Sequence, residues 1–337
     1  MICILDKNTS SEQLEKLLSR FQQEGVLAKL FQFEDQSRLV LSSGIAKHHD
    51  IDTWPESKII IDKYLPDNKR LLTTKQFHQQ SRIKVGPLTF GGREFPVIAG
   101  PCSVESQQQI HDIAKVAHNL GAKVLRGGAY KPRTSPFDFQ GLGAIGLKFL
   151  RQAADAFDLL CVSEIMDVAD LDDFLDKVDI IQVGARNMQN FSMLKQLGKI
   201  QKPILLKRGL STTYEEFLLA AEYIMSMGNL NVILCERGIR SFEPYTRNTL
   251  DIAAIPILKD LGHLPVIVDP SHAVGLRKFV PTLAYTAMAA GADGLMVEMH
   301  INPDASISDA KQTISPDAFA EMMQKLKQMA LVFDREL

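Results

Sequence analysis

From residue 95 onward the chain alternates short apolar runs with amphipathic ones eight times, a pattern that few folds satisfy. The apolar runs lie near residues 97–100, 122–126, 159–163, 178–183, 203–207, 231–235, 265–268 and 293–298. Unbroken apolar runs of this length suit strands covered on both faces, as in parallel sheets. The segments between them read as helices; 214–227, for example, sets Phe217, Leu218, Ala221 and Ile224 on one face. Eight β/α units in about 240 residues is the size of a (β/α)8 TIM barrel. An open doubly wound sheet would alternate in the same way, but no Gly-x-Gly-x-x-Gly follows any of the runs. Residues 83–91 read as a hairpin that closes the barrel bottom.

The first 65 residues follow another plan. A strand at residues 2–5 precedes a helix whose face is Leu14, Leu17, Leu18 and Phe21, with Ser10 or Ser11 able to cap it. Strand-like runs at 27–33 and 38–42 flank the turn-prone Glu34-Asp35-Gln36-Ser37. A short segment at 45–51 leads to a last strand at 58–62. The order β-α-β-β-α-β predicts a small ferredoxin-like (ACT-like) α+β domain. The expected organisation is therefore 1–65 as that domain, 66–82 as a polar linker and 83–337 as the barrel. A chain of 337 residues accommodates both.

Charge is the next informative property. The net charge of -2 argues against general nucleic-acid binding, and no apolar stretch reaches the ~18 residues that span a membrane. No signal peptide is visible at the N-terminus. Cys3, Cys102, Cys161 and Cys235 form no CxxC pair and read as reduced thiols, so the expected location is cytoplasmic. Basic residues are instead placed singly at strand ends. Arg126 closes one apolar run, with Lys131 and Arg133 in the loop after it; Arg186, Lys207 and Arg237 end or follow three others. In a barrel those ends share one face, where such barrels carry their chemistry. Six cations there call for an anionic partner, which predicts a site for a small molecule with several phosphate or carboxylate groups. Cys102, His272, Glu298 and Asp309 fall on the same predicted rim. A thiol, an imidazole and two carboxylates suit a divalent transition metal. The loop Lys131-Pro132-Arg133-Thr134-Ser135-Pro136 adds donors suited to phosphate.

Several of these segments form an ordered set of motifs: Gly100-Pro101-Cys102-Ser103, Leu125-Arg126-Gly127-Gly128-Ala129-Tyr130-Lys131-Pro132-Arg133-Thr134-Ser135, Gly184-Ala185-Arg186-Asn187 and Leu206-Lys207-Arg208-Gly209. Glu236-Arg237-Gly238, Asp269-Pro270-Ser271-His272 and Met296-Val297-Glu298 complete it. Together they resemble 3-deoxy-D-arabino-heptulosonate 7-phosphate (DAHP) synthase over residues 83–337. The N-terminal domain resembles the regulatory extension of one subgroup. The resemblance implies the first step of the shikimate pathway to aromatic amino acids, in which phosphoenolpyruvate and erythrose 4-phosphate condense with water to give DAHP and phosphate. It implies that Cys102, His272, Glu298 and Asp309 hold one divalent metal (Mn, Fe, Co, Zn or Cd). Arg126, Lys131, Arg186, Lys207 and Arg237 would clamp phosphoenolpyruvate, and Arg133 and Thr134 would take the phosphate of erythrose 4-phosphate. The metal would act as a Lewis acid on the aldehyde. Lys131, with a pKa depressed by its cationic neighbours, is the expected catalytic proton donor. A homotetramer and an allosteric aromatic amino-acid effector also follow from the resemblance.

Two alternatives stand beside that reading. One is 3-deoxy-D-manno-octulosonate 8-phosphate synthase using arabinose 5-phosphate, which shares the barrel and clamp but resembles an Asn-rich segment where this chain has Lys-Pro-Arg-Thr-Ser. Some of its members lack metal and carry Asn at the cysteine position. The other is an amino-acid sensor with an inactive barrel. The intact ligand and clamp residues favour a catalytic barrel.

Overall fold

Every residue of the strands 97–100, 204–207 and 295–298 is buried, which is what burial on both faces of a parallel sheet requires. The computed structural model describes residues 1–33, 36–41, 51–65, 70–131, 135 and 137–337. It contains two compact units, Met1–Gln79 and Gln80–Leu337.

In the first unit β1 (Ile2–Leu5), α1 (Ser11–Gln23), β2 (Ala28–Phe31), β3 (Arg38–Leu41) and β4 (Ile60–Tyr64) follow in order. Ser10 starts α1 through a capping box with Gln13, and the helix buries Leu17 and Phe21. The strands pair antiparallel in the order β2-β3-β1-β4, which fits the ferredoxin-like plan. The hairpin turn is described only at Gln36 and Ser37. Of the expected segment 45–51, only Ile51 lies within the described residues. The last strand runs at 60–64 rather than 58–62, because a 3-10 turn, Pro55–Ile59, occupies its expected start. Residues 66–69 lie outside the description. Inside the segment read as a polar linker, Phe77 is fully buried and meets Phe31 and Phe33 edge-on at 5.3 and 5.2 Å.

The second unit opens with an antiparallel hairpin, β5 (Ile83–Val85) and β6 (Leu88–Phe90). The barrel strands are β7 (Val97–Gly100), β8 (Val124–Arg126), β9 (Leu160–Ile165), β10 (Ile180–Val183), β11 (Ile204–Lys207), β12 (Val232–Glu236), β13 (Val266–Val268) and β14 (Leu295–Glu298). All neighbours pair parallel and β14 closes on β7, so the predicted (β/α)8 barrel is present. Each strand sends a residue to the core, Ile98, Val124, Val162, Ile180, Leu205, Ile233, Ile267 and Met296, and β12 adds Cys235. Ile83, Val85 and Phe90 of the hairpin pack into this same cluster, so the hairpin plugs the barrel interior as expected. Each such side chain contributes about 1.5–3 kcal/mol by leaving water. Among the described residues, no helix is long and apolar enough to cross a membrane.

Candidate active site

The C-terminal strand ends deliver the functional groups, and the turns after them set their reach. Gly100 has φ 150°, and a Cβ there would lie 2.2 Å from the Arg126 carbonyl oxygen. Only glycine permits β7 and β8 to approach so closely, just before Cys102 leaves the barrel. Gly128 is similarly constrained, since a Cβ would lie 2.8 Å from the Cys102 carbonyl oxygen and 2.9 Å from Lys131 Nζ. Its absence lets Lys131 fold back and donate to the Cys102 carbonyl at 2.9 Å and to Sγ at 3.0 Å. The Gly127-Gly128 pair thus serves a close approach, since a Cβ at Gly127 would also lie 2.9 Å from the Val104 side chain.

After β13, Asp269 caps the short helix α2 (Pro270–Val274) by accepting from the His272 N–H at 2.9 Å. Pro270, lacking an N–H, sits at the first position, where none is needed. This one turn brings the His272 ring to the rim. Asp269 Oδ2 also lies 2.7 Å from His272 Nδ1, 2.5 Å from Lys207 Nζ and 3.9 Å from Arg126 NH1. The carboxyl is fully buried, which opposes ionisation, yet its contacts with His272, Lys207 and Arg126 hold it well below the carboxylate range. With Nδ1 donating to this carboxylate, the neutral ring presents Nε2 as an acceptor. Burial pulls the His272 pKa down, favouring that neutral form.

Sulfur, imidazole nitrogen and carboxylate oxygens of Cys102, His272, Glu298 and Asp309 all lie within 4.8 Å of one another. His272 Nε2 is 3.3 Å from Glu298 Oε1 and 3.7 Å from Asp309 Oδ2, and Cys102 Sγ donates to Asp309 Oδ2 at 3.3 Å. Burial pushes the Cys102 thiol up to about 12, with Glu298 adding to the effect and Lys131 opposing it. Burial also acts to raise the Asp309 carboxyl, but His272 and Arg247 bring it down to about 2. Glu298 Oε1 is buried beside Arg126 NH2 at 3.0 Å without an aligned hydrogen bond among the described residues. A buried oxygen in that condition, facing sulfur and imidazole, is what a metal-binding donor set presents.

Beside the cluster lies a cavity of about 260 Å³ whose lining includes Lys131, Arg186, Lys207, Arg237, Arg240 and Arg247. Five of the six predicted rim cations are within the description. Lys131, Arg186, Lys207 and Arg237 line the cavity, whereas Arg126 is buried between Glu298 and Asp269. Arg133 and Thr134 lie outside the described residues. Internal carboxylates neutralise part of the charge that the sequence reading left to a ligand: Lys207 pairs with Asp269, and Arg126 with Glu298. Arg237 has no such pair among the described residues. Burial lowers its pKa, Arg247 adds to this, and its buried NH1 has no hydrogen-bond partner among the described residues. A small anion would satisfy that group.

The Lys131 expectation needs correcting. Burial does lower its pKa, but the Cys102 sulfur, the Glu164 carboxylate and the hydrogen bond to sulfur outweigh it, so the net direction is upward. Nearby acceptors, not neighbouring cations, decide the sign. Sequence reasoning also missed Glu164, Arg240, Arg247 and Gln312. Glu164 was within reach: β9 runs on through it to Ile165, past the predicted end at 163. Arg240, Arg247 and Gln312 sit beyond strand ends, where no periodic signal marks them.

Fold and rim together define a (β/α)8 barrel enzyme with a small, strongly cationic cavity beside a cluster of metal-competent donors. Comparison with known proteins specifies it further. The chain belongs to the DAHP synthetase I family, which its residues 76–333 match. It is 50% identical over 260 residues to a phospho-2-dehydro-3-deoxyheptonate aldolase of Thermotoga maritima, covering 77% of each chain. A 2-dehydro-3-deoxyphosphooctonate aldolase of Granulibacter bethesdensis is 32% identical over 269 residues, 74% of this chain and 94% of that one. The crystal structure of phospho-2-dehydro-3-deoxyheptonate aldolase (DAHP synthase) from Thermotoga maritima superposes with a TM-score of 0.78 at 40% identity. That match covers 99% of this chain and 98% of the other.

Proposed function

We propose that the chain is a metal-dependent DAHP synthase that condenses phosphoenolpyruvate and erythrose 4-phosphate with water, releasing phosphate, at the start of the shikimate pathway. The observation that carries this reading is the juxtaposition on one rim of the four clustered donors and the cation-lined cavity. Cys102, His272, Glu298 and Asp309 would hold one divalent ion, and sulfur among the donors suits Mn, Fe, Co, Zn or Cd. When bound, the ion supplies Lewis acidity to the aldehyde oxygen.

The chain's own residues do the rest. Lys207, Arg186 and Arg237 neutralise the phosphate and carboxylate of phosphoenolpyruvate, and buried Arg126 stiffens that wall through Glu298. Asp269 fixes Lys207 and His272 at once, which sets the distance between clamp and cluster. Water adds at C2 of phosphoenolpyruvate while its C3 bonds to the aldehyde carbon. C2 then loses phosphate, leaving the ketone. Negative charge grows on the aldehyde oxygen, and Lys131 Nζ, beside Cys102 Sγ and on the cavity wall, donates the proton. Its raised pKa keeps the ammonium charged but holds the proton more tightly than an ordinary lysine does, so the transfer depends on Lys131 standing beside the oxygen as negative charge grows there. Arg133 and Thr134 remain the assigned contacts for the second phosphate.

The domain assignment of 1–65 as a regulatory domain, 66–82 as linker and 83–337 as catalytic barrel belongs to the same reading. So do an aromatic amino-acid effector, a homotetramer and a cytoplasmic location, the last supported by four free thiols. The test is phosphoenolpyruvate consumption with erythrose 4-phosphate or arabinose 5-phosphate, each with and without EDTA. Turnover with erythrose 4-phosphate, abolished by EDTA and restored by Mn²⁺, is expected. Turnover with arabinose 5-phosphate alone would move the activity to the octulosonate branch, and none with either would favour the sensor reading.

A further inference from the structure

A carboxylate has two oxygens, and in a tight donor cluster only one of them can face the other donors. In both carboxylates of this cluster the outward oxygen is engaged by the same pair of side chains. Gln312 Nε2 donates to Glu298 Oε2 at 2.6 Å, and Gln312 Oε1 accepts from Arg247 NH1 at 3.0 Å. Arg247 NH1 also lies 3.4 Å from Asp309 Oδ1. The inward oxygens, Glu298 Oε1 and Asp309 Oδ2, are the ones that face His272 Nε2.

The local backbone explains the pairing. Asp309 adopts a left-handed conformation (φ 55°) and opens the 3-10 turn Ala310–Gln312. Asp309, just before the turn, carries one carboxylate of the cluster, and Gln312, at its end, carries the amide that holds the other. Gln312 is buried, at 2% exposure, so its amide cannot exchange its partners for water. Glutamine is suited to the position because one side chain donates to a carboxylate and accepts from a guanidinium. A glutamate there would repel Glu298, and an aliphatic residue would orphan both neighbours.

We propose that Gln312 and Arg247 are positioning residues for the metal centre: together they rotate Glu298 and Asp309 so that one oxygen of each faces Cys102 and His272. This rests on the metal-centre reading above, and the experiment separates the two. Full-length protein is stripped and titrated with Co²⁺ alone, without substrates, following both affinity and the ligand-field absorption bands. Wild type is expected to bind one Co²⁺. Gln312→Leu should weaken binding by about 10–100-fold, the usual effect of removing such an outer partner, and should shift the bands. Arg247→Gln, more exposed and so better tolerated, should move both readouts in the same direction, and it carries the test if Gln312→Leu does not fold. Wild-type affinity and bands in the folded variants would overturn the inference while leaving the metal site standing. Weakened affinity with unchanged bands would also overturn it, because carboxylate orientation would then be intact. Wild-type protein that binds no Co²⁺ would overturn the metal centre and the inference with it.

Discussion

Removing the Arg208 guanidinium should expose how the cavity wall assigned to phosphoenolpyruvate is anchored. Arg208 is 4% exposed, and its NH1 lies 2.9 Å from Glu236 Oε2 and 2.8 Å from Asp251 Oδ2. Its Nε and NH2 donate to the Thr212 carbonyl at 3.1 and 2.9 Å, and the group lies 4.7 Å over the Tyr214 ring. Methionine would fill the stem volume but leave fully buried Glu236 without its counter-charge. Breaking one partner of a buried pair costs about 3–5 kcal/mol. At roughly 2–4 °C per kcal/mol for a domain of this size, Arg208→Met should lower Tm by about 6–20 °C. The sign with pH is also set. Burial raises the Glu236 pKa above its ordinary value, and losing Arg208 raises it further. The deficit is therefore full above the variant's folded pKa and shrinks as pH falls through that raised value, where the buried carboxyl takes a proton. Glu236 and Gly238 flank Arg237, and the Gly238 N–H donates to Glu236 Oε1 at 2.5 Å. The KM for phosphoenolpyruvate should thus rise with the loss of stability. Thermal unfolding from pH 5 to 8, with Arg208→Met/Glu236→Leu alongside, decides the matter. A single variant melting within 2 °C of wild type, or a double variant melting below the single, would refute the reasoning.

Two further outcomes follow from the rim. Lys131→Met should lower kcat by about 10²–10⁴-fold, the range for a positioned proton donor, and change metal affinity far less. Initial rates and a metal titration on the same preparation check this, and surviving activity would remove Lys131 from that role. Gly100→Ala forces a Cβ to 2.2 Å from the Arg126 carbonyl, so β7 and β8 must part, at about 1–3 kcal/mol. A melting temperature equal to wild type would contradict that steric reading.

What the sequence revealed and what it hid have separate physical causes. The eight strands were legible because burial on both faces leaves each an unbroken apolar run, and their ends predicted where Cys102, Arg126, Lys207 and Glu298 would gather. The closure of β14 on β7 followed from the count. Gln312 and Arg247 were not legible, because their importance lies in hydrogen bonds between loops far apart in the chain. Lys131 shows the same limit in its electrostatics: a run of cations is visible in one dimension, while Cys102 Sγ and Glu164, which set the sign of its pKa, become neighbours only after folding. Asp269 was visible as part of a motif, but its three simultaneous partners were not.

Asp269 has a consequence for how such an enzyme can change over generations. One carboxylate is shared by the imidazole assigned to the metal, the ammonium assigned to phosphoenolpyruvate and the guanidinium behind Glu298. Under that assignment, metal preference and substrate affinity are not separate heritable traits. A lineage that alters one meets the other in the same step, and compensating substitutions must arrive at two strand ends together. Drift at this rim should therefore be slow and correlated.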